Sequence, residues 1–187
     1  MEERREAMRE EEILTAIVGE LKPLEAPIVL ADYDAAWPGL FEREDDRIRA
    51  ALGDDVRLLE HVGSTSVPGL AAKPIIDMVL AVPDSSDEPS YVPRLEAAGY
   101  VLRIREPEWH EHRVFKGPDT NVNLHTFTDG CEEIGRMLAF RDRLRTNDAD
   151  RELYERAKRD LARRDWKYVQ NYADAKSAVV AEIVARA

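Results

Sequence analysis

Cysteine is almost absent. Cys131 is the only one among 187 residues. That excludes an internal disulfide and a cysteine-rich zinc cage, and it points to a reducing, cytoplasmic compartment. Long apolar runs are lacking too. None approaches the ~20 residues a membrane-spanning helix needs, so no membrane partner is expected. Positive charge is scarce: 27 Lys and Arg stand against 38 Asp and Glu, a net charge of −11. Nonspecific binding to nucleic acid or to an acidic membrane needs a concentrated basic surface, which makes nucleic acid an unexpected partner; a local basic cleft remains compatible with the balance. The opening Met1-Glu2-Glu3-Arg4-Arg5-Glu6 is too acidic for a signal or transit peptide. There is no internal repeat and no low-complexity segment.

What is present describes a globular chain long enough for one domain with a real core. Residues 1–27 read as an N-terminal helical extension and linker. Ile13, Leu14, Ile17, Val18 and Leu21 recur at helical spacing, and Pro23 and Pro27 bracket the linker. Residues 28–187 read as the domain proper. Ile28-Val29-Leu30 reads as a short strand. From Trp37 the apolar residues fall at 37, 40, 41, 48, 51 and 52, a helical face closed by Gly53. Strands are expected at Val56–Val62, Pro74–Val82, Tyr100–Ile104, His112–Lys116 and Asn121–Phe127, with a helix at Tyr91–Ala98. Gly117-Pro118-Asp119 makes the last two strands a hairpin. Asp129, with Glu132 three residues on, predicts an N-cap for a helix to about Arg145. Asn147 or Asp148 caps the next helix, to about Asp165. A last helix covers about Tyr168–Ala185. The pattern is α+β: a mixed sheet of about five strands flanked by helices, with the C-terminal helices packed on it.

The chemistry gathers around residues 61–82. A strand runs into Gly63-Ser64, which gives a backbone that can approach a ligand closely and a hydroxyl to meet it. By itself the dipeptide reads as a plain tight turn, and no P-loop follows. Asp77 lies inside Ile75-Ile76-Asp77-Met78-Val79-Leu80. A carboxylate on such a strand is costly to bury unless it is paired, hydrogen-bonded or metal-bound. The bland alternative is an edge acid paired with Lys73 or an arginine. His61, His110, His112 and His125 all fall in the sheet region. With Asp77 they permit a metal site, or they are four separate histidines. In Ile134, Leu138, Arg141 and Leu144 the spacings of 4, 3 and 3 put Arg141 on an apolar stripe. Lys176 falls on a similar stripe with Val169, Tyr172, Val180 and Ile183. Both charges either snorkel or form internal pairs, or they meet an anionic ligand in a cleft.

The run His61-Val-Gly-Ser-Thr-Ser-Val-Pro-Gly-Leu-Ala-Ala-Lys-Pro-Ile-Ile-Asp77 resembles the signature of the GrpB family, also called UPF0157. Tyr33-Asp34 with Trp37-Pro38, His112-Arg113-Val114-Phe115, Leu124-His125-Thr126-Phe127, Phe140 to Arg145, and Tyr172 with Lys176 support it. The resemblance covers about residues 28–184. That family is similar to the nucleotidyltransferase superfamily, which implies a small mixed sheet with flanking helices. It implies a nucleoside triphosphate held by Gly63 and Ser64, and a Mg²⁺ held by Asp77. Lys73, Arg141 and Lys176 would neutralise phosphate. His112 and His125 would be base, metal or supporting groups, with His125 beside Asp77 as a metal ligand. The acceptor of the nucleotidyl group, a small molecule or protein, is left unspecified. The superfamily's Asp-x-Asp pair is missing here: Val79 stands two residues after Asp77, and the later strand offers Asn123 and His125. A catalytically silent nucleotide-binding or interaction domain is therefore the competing expectation.

Overall fold

The apolar run after Pro74 becomes β2 (Ile76–Val82), and it is central. The computed structural model describes residues 7–24 and 26–187. β1 (Leu58–Val62) pairs with β2 antiparallel, and β5 (Val122–Thr128) pairs with it parallel. β4 (His112–Lys116) joins β5 to β3 (Val101–Glu106), both pairs antiparallel. The sheet order is β1-β2-β5-β4-β3. A strand covered on both faces has no reason to alternate, which is why Met78, Val79, Leu80 and Ala81 are all fully buried. Burying each of the larger side chains is worth about 1.5–3 kcal/mol.

The two faces are covered differently, and this positions the site. On one face Met78, Leu80, Phe115 and Leu124 pack with α2 (Trp37–Leu52) and α3 (Glu88–Ala97). On the other, Val79, Ala81 and Phe127 pack with Ile134 of α4 (Glu132–Thr146). α4 meets the later residues of β2 and β5. Asp77 and Asn123, second residues of their strands and register partners, project from that same face beyond this cluster. α5 (Asp148–Ala162) and α7 (Ser177–Val184) close over the 63–70 turn through Val67, Leu70, Leu144, Tyr154 and Ile183. α6 (Val169–Asp174) adds Tyr172 to a small cluster with Ile28 and Leu161. The fold is the α+β mixed sheet expected from the sequence.

Local departures have identifiable causes. α1 spans only Glu10–Ala16, because Ile17 turns extended to bridge Ile104 and the Val18 N–H donates to the Arg103 carbonyl at 2.9 Å. Ile28–Leu30 forms no strand: one bridge, Ala31 to Ala72, is all that segment makes, and Val29 is exposed. Asp129 is not the cap of α4. Its N–H is used by the Val82 carbonyl, Gly130 turns the chain at φ 80°, and Cys131 takes the cap position. Asn147 does cap α5, accepting the Asp150 N–H at 2.9 Å. The single last helix is two, α6 and α7, broken at Ala175-Lys176, so Lys176 sits at the start of a helix and not along one stripe. Arg4-Arg5 and the start of the extension lie outside the described residues.

Candidate functional site

Asp77 sets the geometry. Its carboxylate presses against the chain at Gly63, where a side chain's Cβ would stand 2.5 Å from Asp77 Oδ2. Gly63 also holds φ 67° and ψ −171°, a conformation essentially restricted to glycine. The Gly63-Ser64 turn is thus fixed against Asp77 by backbone shape. Ser64–Ser66 then makes one 3-10 turn, and among the described residues no backbone acceptor takes the Ser64 or Thr65 N–H.

Asp77 Oδ1 accepts the Asn123 amide N–H at 2.7 Å, and Lys116 Nζ donates to Asn123 Oδ1 at 2.5 Å. The side chain of Asp77 is 30% exposed. It lies at the floor of an open pit, surrounded by protein yet still reached by water. Burial raises its carboxyl above the usual range, while the Asn123 bond and then Lys176, Lys116 and Lys73 pull it back. Burial first, then mutual repulsion among cations, lowers Lys73. Lys116 is lowered mainly by burial. Lys158, almost fully buried and donating to the Ala71 carbonyl, is pushed down to about 7 by burial and by Lys176. Lys176 Nζ stands 4.6 Å over the Tyr172 ring. The Tyr172 hydroxyl is buried with no hydrogen-bond partner among the described residues. Tyr154 lies against the Ser64 hydroxyl, and burial pushes its phenol up to about 12. A chain with net charge −11 therefore carries a cationic pit around one acid.

A second line of groups approaches from β4. Glu106 Oε2 meets His112 Nδ1 at 2.7 Å, His112 Nε2 meets His125 Nδ1 at 3.0 Å, and His125 Nε2 is 4.0 Å from Asp77 Oδ1. The His112 and His125 rings stack at 5.2 Å between centroids. With Glu106 ionised and both rings neutral, the order of donors is forced. Nδ1–H of His112 donates to Glu106, Nδ1–H of His125 donates to His112, and His125 Nε2 presents its lone pair toward Asp77.

Gly63, Ser64, Lys73, Asp77, His125 and Lys176 thus come together, with His112 behind. Arg141 does not join them. Its guanidinium bonds Glu60 at 2.7 Å, Asp142 at 2.8 Å and the His61 carbonyl, the internal pairing that its stripe position left open. His61 turns to the α2 face, where Phe41 stacks on it, and His110 lies in the left-handed turn before β4. Among the described residues no three His, Cys, Asp or Glu side chains gather as a ligand set. Of these groups Asp77 and His125, 4.0 Å apart, are the ones able to hold a metal ion. Lys116, Lys158 and Glu106 were not singled out from sequence. Lys158 carried a usable signal: Tyr154, Lys158 and Leu161 share a helical stripe at spacings of 4 and 3.

Residues 27–186 match the family model described as GrpB protein. This chain belongs to the GrpB family. A UPF0157 protein of Halalkalibacterium halodurans is 61% identical over 178 residues, covering 95% of this chain and 91% of that one. A UPF0157 protein of Streptomyces coelicolor is 47% identical, covering 91% and 89%. The crystal structure of the conserved protein GrpB from Enterococcus faecalis superposes with a TM-score of 0.74 at 33% identity, covering 84% of this chain and 96% of that one. The GrpB match spans every residue of the Asp77 pit. Among the described residues no helix is long and apolar enough to cross a membrane.

Proposed function

We propose that this GrpB chain binds a nucleoside triphosphate in the Asp77 pit and transfers its nucleotidyl group to an acceptor hydroxyl. The observation that carries this reading is the convergence of the Gly63-Ser64 turn, Asp77, His125 and three lysines on one open patch of sheet. Ser64 and the N–H groups of its turn would hold phosphate oxygens. Lys73, Lys116 and Lys176 would balance the triphosphate, taking over charge that a second carboxylate-bound ion carries where more acids are present. The acceptor oxygen attacks the α-phosphorus and the bond to the β-phosphate breaks, so pyrophosphate leaves. The acceptor proton passes to His125 Nε2, and the His112–Glu106 pair holds that imidazole in the basic tautomer and stabilises its charged form. A Mg²⁺ held by Asp77 and the triphosphate would supply Lewis-acid activation, leaving His125 Nε2 free to act as the base.

The silent-binder reading is favoured by one fact, that among the described residues no three His, Cys, Asp or Glu side chains gather at Asp77. Thermal unfolding with ATP or CTP, with and without Mg²⁺, separates the cases. Ligand at 100 times its dissociation constant adds about 2.7 kcal/mol of stability. Wild type should gain it, and Lys176→Ala and Asp77→Ala should lose most of it. Absence of any stabilisation in wild type refutes nucleotide binding. Stabilisation without pyrophosphate release, across alcohol, sugar and protein hydroxyl acceptors, supports the silent binder.

A further inference from the structure

A second cavity opens on the other side of the 63–68 turn. It measures about 470 Å³ and lies at the free edge of β1, between α2 and the α4–α5 pair. That is within the size range of small-molecule sites. Asp77 is not part of it. The cavity instead collects sequence features left unused by the pit: Tyr33, Pro38, His61 and Arg145.

Its walls have a definite chemistry. The Phe41 and His61 rings stack at 5.0 Å and 6° between planes, making a flat aromatic wall, with Tyr33 also lining the cavity. His61 is fixed in place. Thr65 gives its hydroxyl proton to the Ile75 carbonyl at 3.0 Å, so His61 Nε2–H must be the donor in its 3.0 Å bond to Thr65. Arg145 is fixed as well, by its Nε–H bond to the Ser66 carbonyl at 3.0 Å.

The charges are unequally matched. Glu60 and Asp142 both close on Arg141 at under 3 Å, whereas Arg145 has only a 3.8 Å contact to the same Asp142. Arg151 is already held by Asp148, and Glu42 stands exposed on the rim. Arg145 is therefore the cation with charge to spare. The positive field is felt next door: burial, then Arg145 and Arg141, depress His61 to about 4.

We propose that this cavity binds a small planar anion, an aromatic or heteroaromatic ring bearing a carboxylate or a phosphate. Arg145 takes the anionic group, and the Phe41–His61 wall and Tyr33 hold the ring. The site stands independently of what the Asp77 pit does. It shares with that pit the turn whose Gly63 rests on Asp77 and whose Ser66 and Pro68 line the cavity.

Histidine-ring NMR on the full chain tests this with phenyl phosphate, benzoate and inorganic phosphate as probes, each up to about 10 mM, ten times a millimolar dissociation constant. The two ring-bearing anions should shift His61 saturably, whatever phosphate the Asp77 pit takes up beside His125, and the tighter of the two names the anionic group. Inorganic phosphate should bind at least about 10-fold more weakly than phenyl phosphate. Arg145→Gln should weaken ring-anion binding about 10- to 100-fold, the range of a charge-assisted hydrogen bond. Phe41→Leu should weaken the ring-bearing probes alone, and Asp77→Asn should change nothing. A urea transition for each variant shows that it is folded. Unchanged binding in Arg145→Gln, a shift at His125 in place of His61, equal affinity for inorganic and phenyl phosphate, or no His61 shift with any probe overturns the proposal.

Discussion

Gly63→Ala probes the contact on which the Asp77 pit is built. An alanine Cβ would stand 2.5 Å from Asp77 Oδ2, 2.8 Å from its Cβ and 3.0 Å from its Cγ. No relaxed structure holds such distances, so β2 or the turn must shift, at about 1–3 kcal/mol for overpacking. The backbone adds its own term. At φ 67° and ψ −171° an L-residue is strained by a further ~1–3 kcal/mol. The sum, about 4 kcal/mol, is a large part of a domain's stability. With a urea slope of about 2 kcal/mol/M, the midpoint should fall by about 2 M. The two contributions separate in a double-mutant cycle. Asp77→Ala removes the 2.5 Å and 3.0 Å contacts and leaves the 2.8 Å Cβ contact and the backbone strain, so the double variant should recover about 1 kcal/mol relative to additivity. A midpoint change under about 0.5 M, or strict additivity of the two substitutions, would show that Asp77 does not press on Gly63.

Asp77→Asn keeps the shape and the Asn123 neighbour while removing a charge that burial opposes. It should raise the urea midpoint and abolish Mg²⁺-dependent nucleotide stabilisation; a destabilised variant would contradict the charge argument. His61 is neutral in the folded chain down to about 4, but titrates at 6.5 once unfolded. Between those values the unfolded chain binds more protons, so stability is lost as pH falls through this window. The cost is at most about 3 kcal/mol, and a His61→Leu variant should show a flatter acid limb in unfolding from pH 6.5 to 4. Lys158 has the same sign at higher pH. Its folded value near 7 lies below the unfolded 10.5, so stability should rise with pH across that interval, and Lys158→Met should remove the rise.

Where one element faces one neighbour, the sequence was readable. α2 ends at Gly53 because a φ of 56° favours glycine there, and β2 is continuous in apolar residues because both its faces are covered. Ile28–Leu30 has the composition of a strand, but pairing is a tertiary decision, and a single bridge does not make one. The apolar spacing of Tyr172, Val180 and Ile183 runs through the break at Ala175-Lys176 without a Gly or Pro to mark it. In the site, Asp77 was legible because an acid among isoleucines is anomalous. Lys116 was not, since a lysine ending a strand usually reaches solvent; only the parallel register of β2 and β5 brings Asn123, and with it Lys116, to Asp77. Glu106 gave no signal because its partner lies across a tight turn.

The order in which these groups leave the ribosome follows from their places in the chain. All five strands are complete by Thr128, while Tyr154, Lys158 and Lys176 come afterwards on the last three helices. A nascent chain thus displays its carboxylate with two of its three lysines before Lys176 has been made. Lys73 and Lys116 already stand beside Asp77 by then, and the C-terminal helices add Lys176 and close the pit. The last of the three lysines to be made is thus the one that caps the pit, and it arrives with the helix that buries Ile183.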